Sequence, residues 1–192
     1  KNAMPNEISQ MYVGLLLDES GSMCSCDRCT YARSSAIILY DFCKALHIPV
    51  TVYGHSTSGS SVELYSYAEF ESIDNDDKYR LMDIAARGSN RDGAALRFVA
   101  EQLVKRPEEV KILILVSDGQ PAAPGYYGSA AEEDLRGIKQ EYRRKGVLFI
   151  AAAIGEDKQN IERIYGDSFM DITDLNQPVS YTHLTLPTNS LV

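Results

Sequence analysis

MYVGLLLDESGS, residues Met11–Ser22, decides the fold. Met11 to Leu17 is apolar on both faces of any pleat and stops abruptly at Asp18. A short run of this kind reads as a strand buried inside a parallel sheet, since a half-exposed strand would alternate. The same character returns three times. Ile48–Tyr53 (IPVTVY) stops at Gly54, Val110–Val116 (VKILILV) stops at Ser117-Asp118-Gly119, and Val147–Ile154 (VLFIAAAI) stops at Gly155.

Helical patterns separate these runs. Ala32, Ala36, Leu39, Cys43 and Leu46 form one apolar stripe at helical spacing, Leu96, Val99 and Leu103 a second after Gly93, and Leu135, Ile138 and Tyr142 a third that Gly146 would stop. Val62–Phe70 (VELYSYAEF) alternates and comes after the Ser/Gly-rich stretch Ser56–Ser61, so it predicts an antiparallel partner for Ile48–Tyr53. Asp167–Thr173 predicts a last short strand. Strands alternating with helices give an α/β fold: a Rossmann-like, doubly wound, mostly parallel central sheet with one antiparallel edge strand. In such folds ligands sit beyond the carboxyl ends of the strands, which directs attention to the residues just after Leu17, Phe70 and Val116.

Composition narrows the function. The chain has 192 residues, 44% hydrophobic and 24% charged, with a formal net charge of −8. This is the composition of one globular domain. The acidic balance opposes binding to a nucleic-acid backbone. Neither an apolar run long enough to span a bilayer nor a signal pattern near the start is present, so a cytoplasmic protein is expected. Residues 1–10 read as a polar lead-in from a larger upstream protein and residues 11–177 as the domain, with a closing helix expected further on. Val179–Thr188 (VSYTHLTLPT) continues no pattern and resembles the translation of a sequencing-library adapter, so residues 178–192, with His183, are set aside.

The chemistry gathers at the strand ends. Asp18, Ser20 and Ser22 lie at alternate positions on one tight turn, where their oxygens can converge. All-oxygen ligands suit a hard cation, Mg²⁺ before Mn²⁺ or Ca²⁺. Asp118 ends a second strand, and in a parallel sheet both turns open on the same edge. Ser89-Asn90-Arg91-Asp92-Gly93 opens a helix on that side. A single strand-end Asp carries little weight, because Asp also caps helices; the combination carries the argument.

DESGSM, then a polar loop leading into GAAL, then SDGQP resembles the metal-ion-dependent adhesion site of von Willebrand factor A (vWA) domains, over about Met11 to Gln177. The resemblance implies a vWA fold with a divalent cation held by Asp18, Ser20, Ser22, Asn90 and Asp118, with Asp92 a further candidate. Asn90 stands where the family usually has Thr. NRDGAALR and the helix TYARSSAIILYDFC sharpen the resemblance toward the C-terminal A domain of cobaltochelatase (CobT-like) subunits and of nitric-oxide-reductase activation proteins. Those work with ring-forming AAA+ ATPases of the MoxR kind. The resemblance thus implies a non-catalytic docking module, whose metal takes a carboxylate from that ATPase or its client. The alternative is a metal-assisted hydrolase or phosphotransfer enzyme in the Asp18/Asp118 cleft, which would need a general base or nucleophile that the sequence does not offer.

Other residues invite chemistry less strongly. Cys24, Cys26 and Cys29 form C-x-C-x-x-C, with Cys43 further on in a buried helix stripe; thiolate ligation is the lesser reading and unligated thiols the greater. Gly54–Gly59 (GHSTSG) lacks the second glycine of a nucleophile elbow and reads as a hairpin turn. Glu19 reads as solvent-facing or as a supporting residue behind the ligands. His47 comes just after a helix end. The charges of Glu132–Lys145 read as a solvated helix face.

Overall fold

The structure is a computed structural model that describes residues 10–71, 76–119, 121–155 and 158–172. Strand β1 (Met11–Asp18) leads through a 3₁₀ turn, Gly21–Cys24, into helix α1 (Arg28–Ala45). Strands β2 (Val50–Ser58) and β3 (Ser61–Ala68) form a hairpin, succeeded by the single turn α2 (Asp77–Arg80). Helix α3 (Asp92–Val104) returns the chain to β4 (Val110–Ser117). A small hairpin, β5 (Ala122–Ala123) and β6 (Tyr126–Tyr127), precedes α4 (Gly128–Arg144). Then come β7 (Val147–Ala153), α5 (Lys158–Tyr165) and β8 (Phe169–Asp171).

The six-stranded sheet has the order β3-β2-β1-β4-β7-β8. Only β2 and β3 pair antiparallel; the other neighbours are parallel. The expected architecture is therefore present. β1 and β4 are the two central strands, and Leu15, Leu16 and Leu17 are each at most 2% exposed. That explains why their sequences show no alternation: both faces are covered. Leu16, Leu113 and Leu115 pack toward α3 and α4, whereas Val13, Leu15 and Leu17 pack toward α1. Gly14 lets α3 lie close on β1, because a Cβ there would come within 3.0 Å of Val99 Cγ1 and 3.1 Å of Leu103 Cδ1.

The structure departs from the sequence expectation in instructive places. β2 does not stop at Tyr53 but runs to Ser58, so GHSTSG is mostly strand. Its polar residues look like turn chemistry, yet β3 pairs with them on one side, and on the other β1 pairs as far as His55 and Ser89 bridges to Thr57. The turn shrinks to Gly59-Ser60, with Gly59 at φ +60°. His47 sits at φ +55°, just past α1, in a Schellman closure: His47 N–H donates to Lys44 O at 3.2 Å and Ile48 N–H to Cys43 O at 2.8 Å. Helix α5 stands where the sequence reading places no element, although Ile161, Ile164 and Tyr165 show the spacing of its buried face. The tail and the expected closing helix lie outside the described residues. Among the described residues, no helix is long and apolar enough to cross a membrane.

Candidate metal centre

β1 and β4 are parallel neighbours, with Leu17 opposite Val116, so their carboxyl ends deliver Asp18 and Asp118 to one edge of the sheet. Asp18 is 1% exposed and tightly held. Its Oδ1 accepts the Ser20 N–H at 2.8 Å, and its Oδ2 accepts the Asn90 side-chain amide at 3.1 Å and the Ser117 hydroxyl at 2.9 Å. The bond from Ser20 N–H is an Asx turn, and it places the next hydroxyls over the strand end. Ser20 Oγ lies 2.9 Å from Ser22 Oγ, and Ser22 Oγ donates to Asp118 Oδ1 at 3.1 Å. Ser20 and Asp118 are buried, and Ser22 is exposed at the mouth.

These spacings test whether a cation fits. Mg²⁺ ligands at 2.0–2.1 Å in an octahedron stand about 2.9–3.0 Å apart along each edge. The two oxygen pairs have about that separation, so Ser22 Oγ is spaced from Ser20 Oγ and from Asp118 Oδ1 as adjacent ligands would be. The donor set is all oxygen, as a hard cation prefers. Electrostatics agree. Burial pushes the Asp18 carboxyl above its ordinary range, and the nearby Asp92 adds to the push. Asp118 is raised by burial and then by Asp18. A positive charge between them would relieve both.

Asn90 is brought to the site, but its amide is committed. Its NH₂ faces Asp18, and its carbonyl oxygen accepts the Ala122 N–H at 2.6 Å. Reversing the amide would set two donors against each other at Ala122, so the assignment is fixed chemically. Asn90 thus sews the second and third loops together. Asp92, at the start of α3, is 2% exposed and turns toward His55, whose Nε2 lies 3.3 Å from Asp92 Oδ1. That is ion-pair distance without a well-formed hydrogen bond, and both atoms otherwise lack one. Burial works against a charged His55, but Asp92, Asp18 and Glu19 outweigh it and raise its affinity for a proton.

Glu19 does not face solvent. It is 1% exposed and points to the other side of the sheet, where Arg87 Nε donates to Oε2 and the Tyr67 hydroxyl to Oε1, each at 2.6 Å. Gly54 makes this possible, because a Cβ there would fall inside the Glu19 carboxylate. Arg28, at the start of α1, donates from NH1 to Asp118 Oδ2 at 2.7 Å. Sequence reasoning missed this contact, since nothing in CDRC couples Arg28 to residue 118. It also missed His55 and Ser117, for which the only signal was strand register: His55 pairs with Asp18. Cys24 and Cys26 are exposed, Cys29 is half-buried and Cys43 is buried, its thiol pushed up to about 11 by burial. Among the described residues, no three His, Cys, Asp or Glu side chains gather as metal ligands would, and the oxygens near Asp18 include two serine hydroxyls. Glu132 is not solvated as expected: it is buried between Arg163, at 2.5 Å, and Arg136, at 3.0 Å.

Comparison with known proteins places the fold and the family. The solved structure of the PilB minor pilin from Streptococcus sanguinis superposes with a TM-score of 0.63 at 14% identity, over 90% of this chain and 59% of that one. A von Willebrand factor type A protein from Catenulispora acidiphila gives 0.58 at 18% identity, over 86% and 39%. The SpRpn10 VWA domain gives 0.57 at 14%, over 83% and 85%. At such identities these share the fold. In sequence, the uncharacterised protein YojO of Bacillus subtilis is 25% identical over 191 residues, 92% of this chain and 29% of that protein. Protein NorD of Brucella abortus is 37% identical over 68 residues, 35% of this chain and 11% of that protein. The chain thus spans less than a third of the length of these relatives. The profile of the cobalamin biosynthesis protein CobT VWA domain matches residues 79–177. With the sheet order, the helices on both faces and this match together, the chain belongs to the CobT-type von Willebrand factor A family.

Proposed function

We propose that this vWA domain is a divalent-cation-dependent docking module of a cobaltochelatase-like or MoxR-ATPase-associated protein. The observation that carries the reading is the row of oxygens Ser20 Oγ, Ser22 Oγ and Asp118 Oδ1 at octahedral-edge spacing, at the carboxyl ends of β1 and β4. Asp18 would be the principal anionic ligand, Ser20 and Ser22 neutral ligands, and Asp118 a second charge, directly or through water. Mg²⁺ is the favoured ion, with Mn²⁺ or Ca²⁺ able to replace it. When bound, the ion supplies an open coordination position for a carboxylate of the partner. Asn90 contributes by fixing Asp18 and bracing the Ala122 loop, rather than by its own oxygen.

The non-catalytic reading rests on what surrounds the oxygens. His55 is fully buried beneath Asp18 and cannot reach a substrate, and Glu19 is committed to Arg87 and Tyr67. With no general base at the mouth among the described residues, a hydrolase or phosphotransfer role loses support. The exposed thiols of Cys24 and Cys26 suit a reducing, cytoplasmic compartment.

The test is capture of a purified MoxR-type AAA+ ATPase by the domain in Mg²⁺ and in EDTA. Capture should need Mg²⁺ and be lost in Ser20→Ala and Asp118→Ala, both still folded by circular dichroism. Equal capture in EDTA would overturn the metal dependence. Mg²⁺-dependent turnover of phosphate or ester substrates, abolished by Asp18→Ala, would overturn the docking role.

A further inference from the structure

Asp118 already has a cation. Arg28 NH1 donates to Oδ2 at 2.7 Å, with the Arg28 side chain 14% exposed and that of Asp118 5%. The two carboxylate oxygens are thereby divided: Oδ1 faces Ser22 and the row of oxygens, and Oδ2 faces Arg28. The guanidinium lies in a slot made by Gly155, at φ +99°, just beyond β7. A Cβ at Gly155 would stand 2.6 Å from Arg28 Nε and 2.9 Å from Cζ, so any other residue would push the side chain off Asp118. Arg28 Nε is buried without a hydrogen-bond partner. Arginine normally meets a carboxylate with two parallel bonds; here it makes one and leaves a buried donor unmet. The geometry spends one carboxylate oxygen on Arg28 and leaves Oδ1 to the oxygen row, so the guanidinium can stay in place and act on an arriving ion through its charge.

We propose that Arg28 is a tethered competitor of the divalent ion. It neutralises Asp118 when no ion is present, opposes the ion's arrival, and so sets the affinity of the site. This rests on the metal-dependent reading above. The charge count gives the reason. With the buried Asp92 and His55 facing each other as a separate pair at 3.3 Å, the proposed ligands Asp18 and Asp118 carry two negative charges and Arg28 one positive, so a divalent ion brings this group from −1 to +1. The excess charge disfavours the ion alone, and one incoming carboxylate cancels it. The ion and an anionic partner thereby become conditional on each other, a coupling that Asp18 and Asp118 without Arg28 would lack.

Direct Mn²⁺ binding, measured by calorimetry and by the electron paramagnetic signal of free Mn²⁺, tests this in the absence of any partner. Arg28→Met removes the charge and keeps the stem. It should bind Mn²⁺ about ten-fold or more tightly than wild type, because a unit charge a few ångströms from the ion is removed in a part-buried site. Arg28→Lys keeps the charge and should stay close to wild type. Arg28→Gln, neutral but polar, should behave as Arg28→Met does. Unchanged or weaker Mn²⁺ binding in both neutral variants, with wild type binding, overturns the competitor role and leaves the metal site standing. Failure of wild type and both neutral variants to bind Mn²⁺ overturns the metal reading with it.

Discussion

Gly54 and Glu19 show how far one residue's identity reaches. Glu19 is a buried carboxylate whose ion pair with Arg87 is bonded further by Tyr67, and the space it occupies is the Cβ position of residue 54. Gly54→Ala should lower stability by about 1–3 kcal/mol through overpacking, measured by urea denaturation. In a Glu19→Ala background the same change should cost clearly less, because the obstructing carboxylate is gone; equal cost in both backgrounds would show that the clash is not with Glu19. The ligand candidates Asp18, Ser20, Ser22 and Asp118 are legible in the sequence because strand ends and an i, i+2, i+4 turn are local patterns. Glu19, His55 and Arg28 are not, because each takes its meaning from a residue far off in the chain: Arg87, Asp92 and Asp118.

Among the elements, α4 most clearly joins sequence pattern to packing. Leu135 and Ile138 are at most 1% exposed against the sheet, while Glu133 faces solvent. Leu135→Ala should therefore cost about 2–5 kcal/mol and Glu133→Ala at most about 0.5 kcal/mol, read from shifts in the denaturation midpoint. The long elements are legible in the sequence for the same reason: a 3.6-residue stripe over several turns, or a run apolar on both faces, has few competing readings. Most short pieces are not, β8 within Asp167–Thr173 excepted. α2, α5 and the β5–β6 hairpin have strands or helices of at most eight residues, too short for periodicity to stand out. β2 outruns its apolar stretch because its second half is polar. Pairing with β3 on one side, and with the end of β1 and the Ser89 bridge on the other, buries it without side-chain hydrophobicity.

Across the whole molecule, the far edge of the sheet is tied down by charge. Lys139 and Arg143 of α4 each reach Asp167 at 2.8 Å, just before β8. Their hydrogen bonds pull the Asp167 carboxyl from 3.8 to about 2. A lowered value means that the folded state gives up this proton more readily than the unfolded chain. The contribution is thus present in full above the ordinary value and lost as pH falls through the folded one. The stability gap between wild type and Asp167→Asn should be constant near neutrality and close between pH 3.8 and about 2. A gap that persisted below that window would mean Asp167 acts through something other than its charge. Asp167 and Arg143 are half-exposed, so the effect is small and should shrink further in high salt.

The position of the candidate metal centre has a mechanical consequence. Asp18 and Asp118 stand at the ends of β1 and β4, the two central strands, each hydrogen-bonded to a neighbour along both edges. A tug by a partner gripping this rim would run along the strand axes. The ladders would then be loaded in shear, with many bonds strained together, instead of being unzipped one by one as at a peeling edge. A domain gripped there would transmit force across its own body before it yields, because the bonds of both central strands share the load.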